Sequence, residues 1–265
     1  MNGSIRMRIE GIGICAGAWC DWDTARDALR HNREFDAAQA TRPSPALLPA
    51  AERRRAPESV LVAIETAQQA CSMSKRAPAD LPHVFACAYG DLPINDYLCA
   101  TLARAPLDVS PIKFHNSVHN APAGYWTIST GCRASSSAIS AGDATFATGL
   151  LEAAVLAHTE AQAVLLVVYD VPATGALRDV VDCDVSFAAA FVLSPIGQAQ
   201  DGIADLRIDV RPGVLAPEAD VLHACGVRNP AAHCLPLLAA LARQQQTTLQ
   251  ARLTPGTILT METLF

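Results

Sequence analysis

The chain of 265 residues reads as a layered α/β fold. Three observations predict this. Segments with strand character alternate with segments of helical spacing along the whole length. The run "AVLLVVYD" (163–170) is almost continuously apolar, as in a strand covered on both faces. Hydrophobic residues make up 51% of the chain and charged residues 17%, enough for a sizeable core. The length allows one large domain or two small ones.

The elements follow in order. "MRIEGIGICAGA" alternates and carries β-branched residues, so it reads as a first strand. Residues 21–57 are polar and end in "LLPAAERRRAPES", which reads as a surface insertion or loop, with Pro57 and Ser59 near the start of a helix. "ESVLVAIETAQQACSM" places Val60, Ala63, Ile64, Ala67 and Cys71 on one helical face. "HVFACAYG" reads as a short buried strand ending at Gly90, and "INDYLCATLAR" as a helix. "SPIKFHNSVHNAPAGYWTISTG" is partly helical, interrupted near Pro122. "SSSAIS" is a short strand, followed by a turn and a helix with Ala147, Leu150, Leu151, Ala154 and Val155 on its apolar face. "VSFAAAFVLSP" is a buried strand. The chain closes with a strand ("DLRIDVRP"), a helix ("NPAAHCLPLLAALARQ") and a hairpin turning at Pro255-Gly256. There is no short-period repeat.

Composition narrows the function. The net charge of -6, without a long basic run, argues against nucleic acid and anionic membranes as partners. No apolar run is long enough to span a bilayer, and the opening residues lack the apolar stretch of a signal peptide. Nine cysteines, an odd count without CxxC, point to reduced thiols and a cytoplasmic protein.

The chemistry centres on "SAISAGDATFATGLLEA" (137–153). A strand, a tight turn and a helix lift one side chain out at a helix N-terminus, where free N–H groups and the helix dipole favour negative charge. Ala141, Gly142 and Ala144 are small neighbours of the tip, which is Asp143.

Here the sequence resembles the β-ketoacyl synthases of the thiolase fold. The resemblance runs from "SPIKFHNSVHNAPAGYWTISTGCRASSSAISAGDATFATG" through "AVLLVVYD" to "AAAFVLSP". Asn120, Ala123-Gly124, Gly131, Arg133, Ser136 and Ile139-Ser140 fall in register with the family pattern, and its nucleophilic cysteine lands on Asp143. The family's two catalytic histidines and Gly-rich closing loop have no counterpart; His223 and His233 lack their context. The resemblance therefore implies a thiolase-like fold with a complete N-terminal half (residues 1–200) and a strongly reduced C-terminal segment (residues 201–265) packed on it.

"HNSVHNAPAGYW" and the short length are most similar to the chain-length-factor proteins of bacterial aryl-polyene and xanthomonadin-type biosynthesis. That likeness implies a noncatalytic subunit without cofactor. It would pair with a catalytic ketosynthase, meet acyl carrier protein through the complex, and limit polyene or polyketide chain length. Lys113, Phe114, Asn116, Ser117, Asn120 and Tyr125 are then expected at the interface or acyl tunnel. Asp143, unable to hold a stable thioester, is expected to cap the helix.

Rival readings use the same residues. A thiolase-fold acyltransferase or hydrolase would act through Cys132 or Asp143. His115 and His119 stand four apart but have no third ligand at motif spacing, so no metal site is expected. Asp91, Asp96, Asp179, Asp182 and Asp184 read as solvated loop carboxylates rather than a hydrolytic pair. "GIGICAGAW" imitates a dinucleotide-binding loop without its full glycine pattern or a following helix.

Overall fold

The computed structural model describes residues 3–33, 35–215 and 227–265. An eight-stranded sheet forms its centre, in the order β3-β2-β4-β5-β1-β6-β8-β7. The strands are β1 (Ile5–Ala16), β2 (His83–Ala86), β3 (Ser136–Ile139), β4 (Val164–Asp170), β5 (Phe187–Pro195), β6 (Ala204–Pro212), β7 (Thr248–Thr254) and β8 (Thr257–Leu264). β2 runs parallel to β3 and β4, and every other pairing is antiparallel. The residues beyond 200 thus add β6, β8 and β7 to the same sheet through β1.

One face of the sheet is covered by α1 (Trp22–Arg30), α7 (Thr145–Glu160) and α8 (Leu235–Ala242), over a core that includes Ile12, Leu166, Phe191 and Leu238. The other face carries α3 (Glu58–Ser74) and α6 (Ala121–Thr130), packed around Ile64, Phe85, Trp126 and Tyr169. Alternation along β4 sends Leu166 and Val168 to the first face and Val167 and Tyr169 to the second. All seven residues of β4 are buried, as its apolar run predicts.

The seat of α3 explains the glycines of "GIGICAGAW". A bulge between Ile9 and Gly11 keeps Met7, Ile9, Ile12 and Ile14 on one face and turns Gly11 and Gly13 to the other. A Cβ at Gly13 would lie 2.0 Å from the Thr66 carbonyl oxygen, and one at Gly11 would lie 2.1 Å from that of Ala70. Their partners across the ladder include Ala190, so a furrow of small residues admits the helix backbone. The pattern serves helix packing, not phosphate binding. Glu10, at the bulge, is fully buried and accepts two bonds from Arg76 at 2.8 Å, and another from the Gln200 N–H.

Two local expectations need correction. Residues 22–30, expected within a loop, form α1. Asp21 caps it by accepting the Thr24 N–H, and Trp22, Ala25, Ala28 and Leu29 are buried. Polar residues dominate its composition because only one stripe faces the core. Its C-terminus is held by Arg243, which donates to the Leu29 carbonyl, while Arg30 donates to Ala242 at the end of α8. Leu48 and Ala56 of the same expected loop are buried in the α3 layer, flanking the short helix α2 (Ala50–Arg55). On α7 the buried stripe is Phe146, Ala147, Gly149, Leu150, Ala153, Ala154 and Ala157, whereas Val155 is exposed. Of the expected face, Ala147, Leu150 and Ala154 are buried and Leu151 packs partly against the core; Gly149 sits where a Cβ would meet Ala86 at 2.9 Å, so the helix comes close to β2 there.

Candidate functional site

The site lies at the C-terminal ends of the parallel strands β2, β3 and β4. After β3 the chain makes a turn at Gly142 (φ 55°), then a 3-10 turn over Gly142–Ala144, then α7. No atom lies within 4 Å of a Cβ built on Gly142, so its glycine serves the left-handed backbone rather than a close approach. Ser140 donates to the Ala88 carbonyl at 2.8 Å, joining the turn to the loop after β2.

Asp143 does not cap α7. The Thr145 hydroxyl braces the turn instead, accepting the Ala141 N–H at 3.0 Å and donating to the Gly142 carbonyl at 2.6 Å. Asp143 points outward and accepts a hydrogen bond from Arg252 of β7 at 3.2 Å. Residue 252 is 109 positions away, so nothing local in the sequence announces this partner. The 3-10 turn carrying His233 (Pro230–Cys234) packs against the elbow turn and α7. His233 therefore sits in a turn beside the elbow, not on a helix; His223 lies outside the described residues.

Cys132 follows the end of α6, where Gly131 (φ 69°) stops the helix. It is 6% exposed, and its thiol donates to the Leu81 carbonyl. His83 Nδ1 stands 3.9 Å from the sulfur and bonds the same carbonyl at 3.1 Å, so this nitrogen carries the ring proton. Burial lowers the His83 pKa and keeps the ring neutral. A nitrogen already protonated cannot take the thiol's proton, and both side chains are buried.

A second polar knot ties the site together. Asp170, fully buried at the end of β4, accepts the N–H groups of Ala88 (3.0 Å) and Tyr89 (3.2 Å) and the Cys87 thiol (3.1 Å). Desolvation pushes its carboxyl up to about 6, against the pull of these bonds. The Cys87 thiol is raised well above its ordinary value, by burial first and then by Asp170. His119 Nε2 bonds the Cys87 carbonyl at 2.8 Å, so the knot also anchors the segment between α5 (Pro111–His115) and α6. A single sequence offers no signal for this knot beyond an acid at a strand end.

The residues expected at an interface or tunnel occupy that segment. α5 stops at His115 and α6 starts at Ala121, so the break precedes Pro122, which lies in the first turn of the second helix. Lys113 is exposed on α5, its ammonium 3.7 Å from the ring centroid of Tyr97 on α4 (Leu92–Arg104). Phe114 is 65% exposed. Ser117 bonds the Phe114 carbonyl at 2.7 Å and closes α5. Asn116 is buried and accepts the Tyr125 hydroxyl at 3.3 Å, whose pKa burial raises. Asn120 is exposed at the start of α6 without a capping side-chain bond. His115 and His119 fall on either side of the helix end, and no group of three His, Cys, Asp or Glu fit for a metal occurs among the described residues.

The loop carboxylates have their own partners, and Asp91 is buried rather than solvated. Asp91 caps α4 and accepts from Ser59; Asp96 accepts from Thr174; Asp182 and Asp184 both pair with Arg228. Asp179 ends an exposed 3-10 turn.

Residues 19–254 match the model of the β-ketoacyl synthase N-terminal domain. The chain belongs to this family. No curated protein matches. Among solved structures, this ketosynthase-like chain is similar to the "Ketosynthase (ApeO) in Complex with its Chain Length Factor (ApeC) from Xenorhabdus doucetiae", with a TM-score of 0.75 and 21% identity over 97% of this chain and 99% of that one. A type II polyketide acyl-carrier protein in complex with its ketosynthase (AntDE:AntF) also gives 0.75, at 12% identity and 99% of both chains. A β-ketoacyl synthase from Burkholderia phymatum STM815 gives 0.61, at 12% identity over 91% of this chain and 71% of that one. These likenesses establish a thiolase-like ketosynthase fold of reduced size. Among the described residues no helix is long and apolar enough to cross a membrane.

Proposed function

We propose that the protein is the noncatalytic, chain-length-factor-like subunit of a cytoplasmic ketosynthase complex. Its ketosynthase-like domain (1–200), with the reduced segment 201–265 packed on it, would bind a catalytic ketosynthase and shape the tunnel for an acyl chain delivered by acyl carrier protein. The observation that carries this reading is the elbow. Where a thiolate is needed to hold the acyl chain, the tip presents Asp143, bonded to Arg252.

A second feature supports it. Six exposed large apolar side chains, Leu102, Leu107, Ile112, Phe114, Val118 and Ile128, fall within 27 residues spanning α4 to α6. Such a concentration marks a surface meant to be covered. Beside it β3 ends the sheet with one edge unpaired, a template for a further strand. Lys113, Phe114, Ser117 and Asn120 belong to this segment, as do Tyr125 and the buried Asn116 bonded to it, with Phe114 the bulkiest candidate to enter the partner's tunnel.

Co-expression with the ketosynthase and acyl carrier protein of its own pathway is the test. A stable 1:1 heterodimer is expected, and F114A within it should lengthen the products. D143C should not acquire condensing activity. Uptake of a labelled acyl group by the isolated chain, lost in C132A, would overturn the reading in favour of an acyltransferase or hydrolase.

A further inference from the structure

We infer that Cys15 and Cys20 form a dithiol pair that a peroxide closes, reversibly, into a disulfide across the hairpin joining β1 to α1.

The hairpin sets the register. Ala16 and Trp19 exchange both backbone bonds, at 3.0 and 2.8 Å, around a two-residue turn of Gly17 and Ala18. Gly17 takes a left-handed φ of 53° at the first turn position, where a tight hairpin turn calls for glycine. The next pair outward is Cys15 and Cys20. Beside a doubly bonded pair an antiparallel ladder has a pair without such bonds, whose Cα atoms stand about 4.5 Å apart with both side chains on one face. A disulfide needs a Cα separation of about 4.4–6.8 Å. Both residues belong to the face that carries α3. Cys15 packs against the core under that helix. Gln69 of α3 clasps the two chains, accepting the Ile14 N–H at 3.0 Å and donating to the Cys20 carbonyl at 2.8 Å.

The two thiols differ in access. Cys20 is exposed, its sulfur 3.7 Å from the Thr24 hydroxyl and 3.9 Å from the Asp21 carboxylate. Cys15 is half-buried, and burial first, then Glu65, pushes its thiol up to about 12. Cys20 therefore meets the oxidant and Cys15 resolves it. The Cys20 sulfur attacks one peroxide oxygen, the O–O bond breaks, and hydroxide leaves as water with the thiol proton. Rotating the Cys20 side chain from Thr24 toward Cys15 brings the sulfurs together. The Cys15 sulfur then displaces hydroxide from the Cys20 sulfenic acid, and its own proton completes a second water. Two thiols and one hydrogen peroxide give one disulfide and two waters. The closed bridge shields an exposed thiol from irreversible oxidation and ties the entry of α1 to β1.

The purified full chain, reduced and then treated with hydrogen peroxide, is the test. Trypsin releases residues 9–26 as one peptide holding both cysteines. Without reductant that peptide should be two hydrogens lighter and closed to alkylation, and dithiothreitol should restore it. C15A, with folding checked by circular dichroism, should pass Cys20 to sulfinic and sulfonic acid at least about tenfold more than wild type does. C99S and C225S should form the bridge as wild type does; Cys225 lies outside the described residues. In wild type and C99S, the oxidised chain should resist urea better than the reduced one, and in C20S peroxide should bring no such gain. Wild-type Cys20 that goes to sulfinic acid as readily as in C15A overturns the inference, as does its pairing with another cysteine. A bridge that leaves urea resistance unchanged or lower overturns it too, because such a bridge would not fit the register of the hairpin.

Discussion

Burial holds the Asp170 carboxyl at about 6, against an ordinary value of 3.8. A carboxyl raised in the folded state contributes stability that is present below about pH 4 and lost as pH rises through 6. The window is worth about 3 kcal/mol. Wild type should therefore lose stability relative to D170N between about pH 4 and 6 in urea titrations; parallel profiles would contradict this. Glu10 is the opposite case. Desolvation alone would raise it, but the bonds from Arg76, Gln200 and Ser194 prevail and lower its pKa. R76A strands that carboxylate inside the protein and should cost about 3–5 kcal/mol at pH 7. The elbow at this scale was legible in its backbone and not in its chemistry. "SAISAGDATF" specifies a glycine turn and a helix start, as found. The role of Asp143 depends on Arg252, a residue brought in by tertiary structure alone.

Packing of α3 on β1 governs the next scale. G13A places a methyl group 2.0 Å from a helix carbonyl oxygen, and neither backbone can withdraw without breaking its own bonds. A loss of about 3 kcal/mol or more is expected, read as a fall in the thermal midpoint. G124A is the matched control. A Cβ there meets nothing within 4 Å, and α6 should gain up to about 1 kcal/mol of helix propensity. Most elements announced themselves by periodicity or by continuous apolar runs. The 22–30 helix did not, because its four buried residues are diluted by charged ones over nine positions. The Asp21–Thr24 cap was the signal available there. On α7, spacing placed Ala147, Leu150, Leu151 and Ala154 toward the core but not Val155, which is exposed, and it cannot show that Gly149 lets the helix approach the sheet closely.

At the scale of the molecule, α4 to α6 leave six large apolar side chains exposed, and the proposed pairing would cover them. Co-expression with the ketosynthase should raise the soluble yield and lower dye binding to exposed apolar surface; an unchanged yield and dye signal would argue that the surface stays uncovered. The sheet order has another consequence. β1 lies between β5 and β6, whose residues follow it by about 180 positions. At about 5–20 residues per second, translation leaves β1 without either neighbour for roughly 10–40 s. During that wait "IGICA" is an unclaimed strand emerging into a crowded cell. Pausing or accelerating the ribosome within this interval should change how much protein escapes aggregation.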